Sequence, residues 1–160
     1  MRRTLLLLMV IAVGALVGCD VQFTDVSKDP EFRQLVGARY EVIGALDAYG
    51  IRQHAKAPVE YITLIPPPGI AGSEVGFSIA IEPGSTITVL KVLKTNRWPD
   101  PDLTLEVRLT GTRMPVETEI RIDLFRGNEA KDNTGLNPRI YRPIAPEESG
   151  QTLRQRLKAS

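Results

Sequence analysis

The sequence predicts an all-β domain, a small antiparallel barrel or sandwich preceded by a short helix. Three observations predict it. Apolar residues recur with a period of two between Arg39 and Phe125, no segment of that stretch has a helical period, and its runs are joined by short links rich in Gly, Pro, Asn and Asp. A period of two sends alternate side chains to opposite faces of a strand, so one face enters a core and the other meets water.

The first element expected is the helix. Asp29 is placed as N-cap, Pro30 at the first helical position and Gly37 as C-cap, with Phe32, Leu35 and Val36 forming one apolar stripe. Strands are then expected over Tyr40–Leu46 and Val59–Ile65, with Gly50–His54 as a short pairing piece. Val75, Phe77, Ile79 and Ile81 alternate with polar or small residues, as do Leu103, Leu105, Val107 and Leu109, and again Ile120, Ile122 and Leu124. Thr86–Lys94 is strand-like, but its apolar phase slips between Val89 and Leu90, which calls for a bulge or for cover on both faces.

The links set the expected pairing. Glu82-Pro83-Gly84-Ser85 has proline then glycine at the central positions of a type II turn. So short a link cannot make a parallel crossover. Asn96–Pro101 and Gly111–Pro115 are also of hairpin length. Arg126–Pro138 reads as a long polar loop and Arg139–Arg142 as a last edge strand, with regular structure ending at Pro143 and Pro146. The organisation expected is therefore residues 1–18 as a signal peptide, 19–28 as a lipidated tether, 29–142 as the β-domain with its leading helix, and 143–160 as a flexible tail. In that tail Leu153 and Leu157, flanked by Arg154, Arg156 and Lys158, form too small an apolar face to favour a lipid-binding helix over a frayed terminus. A barrel hides the sheet edges most simply. Gly37-Ala38-Arg39-Tyr40-Glu41-Val42, then Leu64 through Gly72, then Pro83-Gly84-Ser85-Thr86 opening a strand, resemble an SH3-like small barrel over residues 37–126.

The N-terminus addresses location. Arg2 and Arg3 precede thirteen apolar or small residues, Leu5–Val17, and then Gly18 and Cys19. This is the layout of a secretory signal peptide. As a helix the run reaches about 20 Å, short of the roughly 30 Å hydrocarbon core. Cys19 is the sole cysteine, so no disulfide within the chain is available to it. Leu16, Val17, Gly18 and Cys19 resemble the lipobox of bacterial lipoproteins. That resemblance implies diacylglycerol on the Cys19 sulfur, signal-peptidase recognition of Leu16, Val17 and Gly18, cleavage after Gly18, and acylation of the new amino group. The protein is then a lipid-anchored component of the cell envelope, facing the periplasm in a Gram-negative cell. Asp20 resembles the inner-membrane retention signal of enteric bacteria.

Composition narrows the function. Cleavage removes Arg2 and Arg3 and leaves 142 residues with 18 basic and 19 acidic side chains, a net charge of −1. So balanced a charge argues against nucleic acid as a partner. His54 is the sole histidine, and with Cys19 lipidated it has no thiol nucleophile or metal-ligating companion. No Gly-x-Ser-x-Gly occurs, and no acidic loop of the calcium-binding kind. No metal and no cofactor are expected. Asp100 with Asp102, and Glu147 with Glu148, are the carboxylate pairs available for acid–base work, but nothing in the sequence places either pair across a cleft. Pro66-Pro67-Pro68-Gly69 is read as a stiff connection rather than a recognition rod.

The candidate recognition residues are Arg97, Trp98 and Asp100, in the link between two strands. Tryptophan and arginine are common interface anchors. The other role open to Trp98 is as a cap over the core. The function expected is a membrane-anchored, non-enzymatic domain that binds an envelope protein or cell-wall partner. The alternatives are a small envelope hydrolase using a carboxylate pair, and an inhibitor or immunity-type protein.

Overall fold

The computed structural model describes residues 21–97, 102–125, 127–131 and 135–145. The expectations for residues 1–20, including Leu16, Val17, Gly18, Cys19 and Asp20, for Trp98 and Asp100, and for the tail from Pro146 lie outside the described residues. The described chain is all-β, and its strands are β1 (Phe23–Asp25), β2 (Arg39–Val42), β3 (Asp47–Ile51), β4 (Tyr61–Ile65), β5 (Val75–Ala80), β6 (Thr86–Thr95), β7 (Leu103–Thr110), β8 (Glu119–Asp123) and β9 (Tyr141–Ile144). They form a single mixed sheet in the order β5-β3-β4-β8-β7-β6-β2-β9, with β1 added to β6.

The period-two segments are the strands, and their inward residues are the core. Val42, Ala48, Ile62, Leu64, Ile87, Val89, Val92, Leu105, Val107 and Ile122 are each at most 3% exposed. The phase slip in β6 is a bulge: Val89 pairs with Val107 and Lys91 with Glu106, leaving Leu90 as the extra residue. The turn chemistry also holds. Ser85 donates its N–H to Glu82 O at 3.0 Å, and Gly84 has φ +89°, as the third position of a type II turn requires.

That turn is nevertheless a corner and not a hairpin, because β5 pairs with β3 and β6 pairs with β2. Val42 N–H bonds Ser85 O, Gly84 N–H bonds Val42 O, and Ile81 N–H bonds Leu46 O, each at 2.8 Å. The ladder thus runs on from β2/β6 into β3/β5, and the single strand expected over Tyr40–Leu46 ends at Val42, with β3 beginning five residues later.

Four other expectations are corrected. The helix over 29–37 does not form; Phe32, Leu35 and Ala38 N–H each bond the carbonyl three residues back, and Gly37 N–H bonds Val89 O of β6. Nine residues are too few to nucleate a stable helix in isolation, and the sheet takes the donor that would have capped it. Phe32 and Leu35 still pack on the core, while Val36 is 38% exposed. The sheet is not purely antiparallel: β4 and β8 run parallel, Ile62 opposite Ile120. Alternation encodes which face is buried, not strand direction. The segment read as a tether contains β1, whose Phe23 pairs with Thr95. Finally, Pro143 lies within β9, opposite Tyr40. β9 is an edge strand, where a missing N–H is tolerated.

Candidate functional site: an aromatic-walled groove around Arg121

Side chains on the face away from the core line a cavity of about 370 Å³. Tyr61 comes from β4, Arg121 and Asp123 from β8, Thr104 from β7, Thr95 from β6 and Phe23 from β1. Alternation places them together: Ile62, Leu105 and Ile122 point into the core, so Tyr61, Thr104, Arg121 and Asp123 point out.

Arg121 is the centre. Its guanidinium lies 4.4 Å from the Tyr61 ring centroid and 4.6 Å from that of Phe23. Its Nε and Nη2 donate to Glu119 Oε1 and Oε2 at 2.7 and 3.0 Å. A planar guanidinium can present both faces to rings while its edge binds a carboxylate, which an ammonium cannot do. Each ring contact is worth about 0.5–2 kcal/mol according to how dry it is. Among the described residues its side-chain hydrogen bonds are made by Nε and Nη2. β8 and β1 are separated by β7 and β6 in the sheet, so the contact with Phe23 requires the sheet to curl around this face.

The electrostatics follow from the pairing. The hydrogen bonds from Arg121 hold the Glu119 carboxyl below its ordinary range, against the opposing effect of burial. Burial disfavours charge on Arg121, but the bonds and charge of Glu119, with Tyr61 and Asp123, outweigh it and raise its pKa. Beside them Lys91 donates to Glu106 Oε2 at 2.6 Å, which raises the Lys91 pKa.

The far end of the groove is the β6–β7 link. Arg97 Nη1 reaches Asp102 Oδ2 at 3.1 Å, and Asp102 N–H donates to Thr95 Oγ1 at 2.9 Å. Asp123 Oδ1 accepts the Thr104 hydroxyl at 2.9 Å. Glu60 and Phe125 complete the rim. Of the recognition residues predicted from sequence, Arg97 is thus on the groove, half exposed and ion-paired, while Trp98 and Asp100 fall outside the described residues. His54 is exposed in the turn after β3, where its carbonyl accepts Ala57 N–H. Pro66-Pro67-Pro68-Gly69 closes a turn, Gly69 N–H to Pro66 O, and folds back on β3, where a Cβ on Gly69 would meet the Tyr49 hydroxyl.

Sequence reasoning missed Arg121, Tyr61 and Phe23. Arg121 sits in Glu119-Ile120-Arg121-Ile122-Asp123, whose polar positions look like an ordinary solvated strand face. The usable signal was three charges on one face of five residues, with opposite signs alternating. Phe23 was assigned to a tether, although a lone aromatic in such a segment is a candidate for packing.

Among the described residues no three His, Cys, Asp or Glu side chains are grouped to hold a metal, and no helix is long and apolar enough to cross a membrane. Comparison with protein-family models, with curated proteins and with solved structures found no match.

Proposed function

We propose that this chain is a membrane-anchored, non-enzymatic envelope lipoprotein that holds a protein or cell-wall partner in the Arg121 groove. One observation carries the reading: β1, which begins four residues after Cys19, is itself a wall of the groove. Gln22 N–H bonds Asn96 Oδ1 at 3.0 Å and Asn96 N–H bonds Gln22 O at 3.1 Å, so the chain is tied to the β6–β7 link from Gln22 onward. Only Asp20 and Val21 lie between Gln22 and Cys19. Three Cα steps span at most about 10 Å. A diacylglyceryl and an acyl chain on Cys19 would therefore hold this groove at the headgroup layer, and two or more chains anchor a protein stably.

The groove's chemistry favours binding over hydrolysis. Phe23, Tyr61 and Phe125 line part of it, Asp102 is committed to Arg97, and Asp123 to the Thr104 hydroxyl. The partner suited to it offers an acceptor for the Arg121 guanidinium and a cationic group for the Glu60 rim. The corner between Val42 and Leu46, which carries β2/β6 into β3/β5, supports the finer reading of the sheet as a small barrel.

Labelled palmitate should enter the wild-type chain and not Cys19→Ser, and the variant should move from the membrane fraction to the soluble one. A Cys19→Ser protein that pellets with membranes as before would overturn the anchor.

A further inference from the structure

We infer that β5 is an interface edge that pairs antiparallel with β5 of a second copy of this chain. The sheet ends at β9 on one side and β5 on the other, and the two ends are built differently. β9 has four residues, one of them Pro143, and its exposed Arg142 is ion-paired to Glu41 at 2.6 Å. Proline, charge and shortness are the devices by which natural sheets stop strangers from pairing with an edge. β5 has none of them. Val75-Gly76-Phe77-Ser78-Ile79-Ala80 carries no charge and no proline, and among the described residues only β3 pairs with it. Side chains reach only its two ends: the Arg52 guanidinium donates to Ser73 O and Val75 O, its stem and Val59 flank Gly76, and the Thr112 hydroxyl accepts Glu82 N–H beyond the last residue.

The ladder shows which backbone groups are free. Ile81 N–H bonds Leu46 O. Stepping back by two along an antiparallel pair, Ile79 and Phe77 face Ala48 and Gly50 as hydrogen-bonded pairs. Gly76, Ser78 and Ala80 then turn their N–H and C=O groups outward, and all three are exposed. On the core face Val75, Phe77 and Ile79 are only half-buried, so the core margin lies open along this edge.

The strand is complementary to itself. A two-fold axis through Phe77 pairs the two Phe77 side chains across the junction, Val75 with Ile79 of the other copy, and Gly76 with Ser78. Aromatic pairs and β-branched pairs are the favourable cross-strand neighbours. In this register Glu74 faces Ala80. An axis through Ser78 would set Glu74 against Glu82 of the other copy, two like charges, and is disfavoured. Of these two registers the one through Phe77 is favoured, and the contact continues the sheet. The interface is small, so association depends on concentration.

The test is sedimentation of the full chain in density-matched detergent over a concentration series, beside Ser78→Pro, Arg142→Ala and Phe77→Cys. The wild type and Arg142→Ala should pass from monomer to dimer as concentration rises. Ser78→Pro removes an outward N–H and no bond to β3, so it should stay monomeric while its far-ultraviolet dichroism matches the wild type. Phe77→Cys should form a disulfide-linked dimer under mild oxidation, whereas Val75→Cys, whose partner is Ile79, should not. Should Ser78→Pro not fold, the two cysteine variants decide. A wild type that is monomeric throughout, a dimer lost with Arg142→Ala, or equal disulfide formation at 75 and 77 would each overturn the inference.

Discussion

Asn128→Ala should destabilise the domain by about 3–5 kcal/mol, the loss expected when a buried hydrogen-bond network is cut. Asn128 lies in the segment read from sequence as a polar loop, yet it is fully buried. Its Nδ2 donates to Leu64 O at 2.8 Å and Asp123 O at 3.2 Å, and its Oδ1 accepts the Tyr141 hydroxyl at 2.5 Å. One amide thus ties the ends of β4 and β8 to β9, which is separated from β8 by three strands in the sheet. Alanine leaves two carbonyls and a buried phenol without partners, and each orphaned group costs about 1–3 kcal/mol, reduced where water enters. Tyr141 is 1% exposed, and burial pushes its pKa up, so it is a neutral donor at neutral pH. Tyr141→Phe strands only the Asn128 oxygen and should cost about 1–3 kcal/mol. Urea unfolding midpoints rank the two variants. Equal losses, or a neutral Asn128→Ala, would contradict the tie.

Arg121→Ala should leave the domain folded and weaken partner binding roughly thirtyfold or more, the equivalent of about 2 kcal/mol for an anchor residue. The side chain does three things at once. It packs against both the Phe23 and Tyr61 rings, it neutralises Glu119, and it lines the groove. Its own contribution to stability is smaller, because the ion pair is partly exposed and screened. Arg121→Lys should not rescue binding, since an ammonium keeps the charge but loses the planar stack and the bidentate bond. The pH dependence has a definite sign. The Glu119 carboxyl titrates below its ordinary value of 4.5 in the folded state, so the pair is intact above that pH and is lost as the pH falls through the lowered value. Binding should therefore be flat through neutrality and fall only in acid. Titrating the immobilised partner with each variant checks both the rank and the pH profile.

The core was legible in the sequence because burial of one face imposes a period of two, and Ile62, Leu105, Val107 and Ile122 each follow it. The Leu90 bulge and the Gly84 turn were legible for the same reason: phase and positive φ are local properties. Direction and partnership were not. Nothing in Tyr61–Ile65 or Glu119–Asp123 distinguishes a parallel partner from an antiparallel one, and nothing in Pro83-Gly84 separates a hairpin from a corner. The groove escaped for a related reason. It is assembled from one or two residues each of β1, β4, β6, β7 and β8, each unremarkable in its own strand. Arg97 was singled out because loops declare themselves by composition; Arg121 was not, because an arginine on an outward strand face is ordinary until two aromatic rings are found against it.

The central claim is that the Arg121 groove, held beside the lipid anchor, is where the partner binds. The most direct measurement is site-specific photo-crosslinking in intact membranes, with the photoreactive residue at Glu60 on the groove rim or at Ile43, exposed after β2 and not among the residues lining the groove. The account predicts one discrete adduct from the Glu60 position, none from the Ile43 position, and loss of that adduct in the Arg121→Ala background. An adduct formed equally from Ile43, or one from Glu60 that survives Arg121→Ala undiminished, would contradict it.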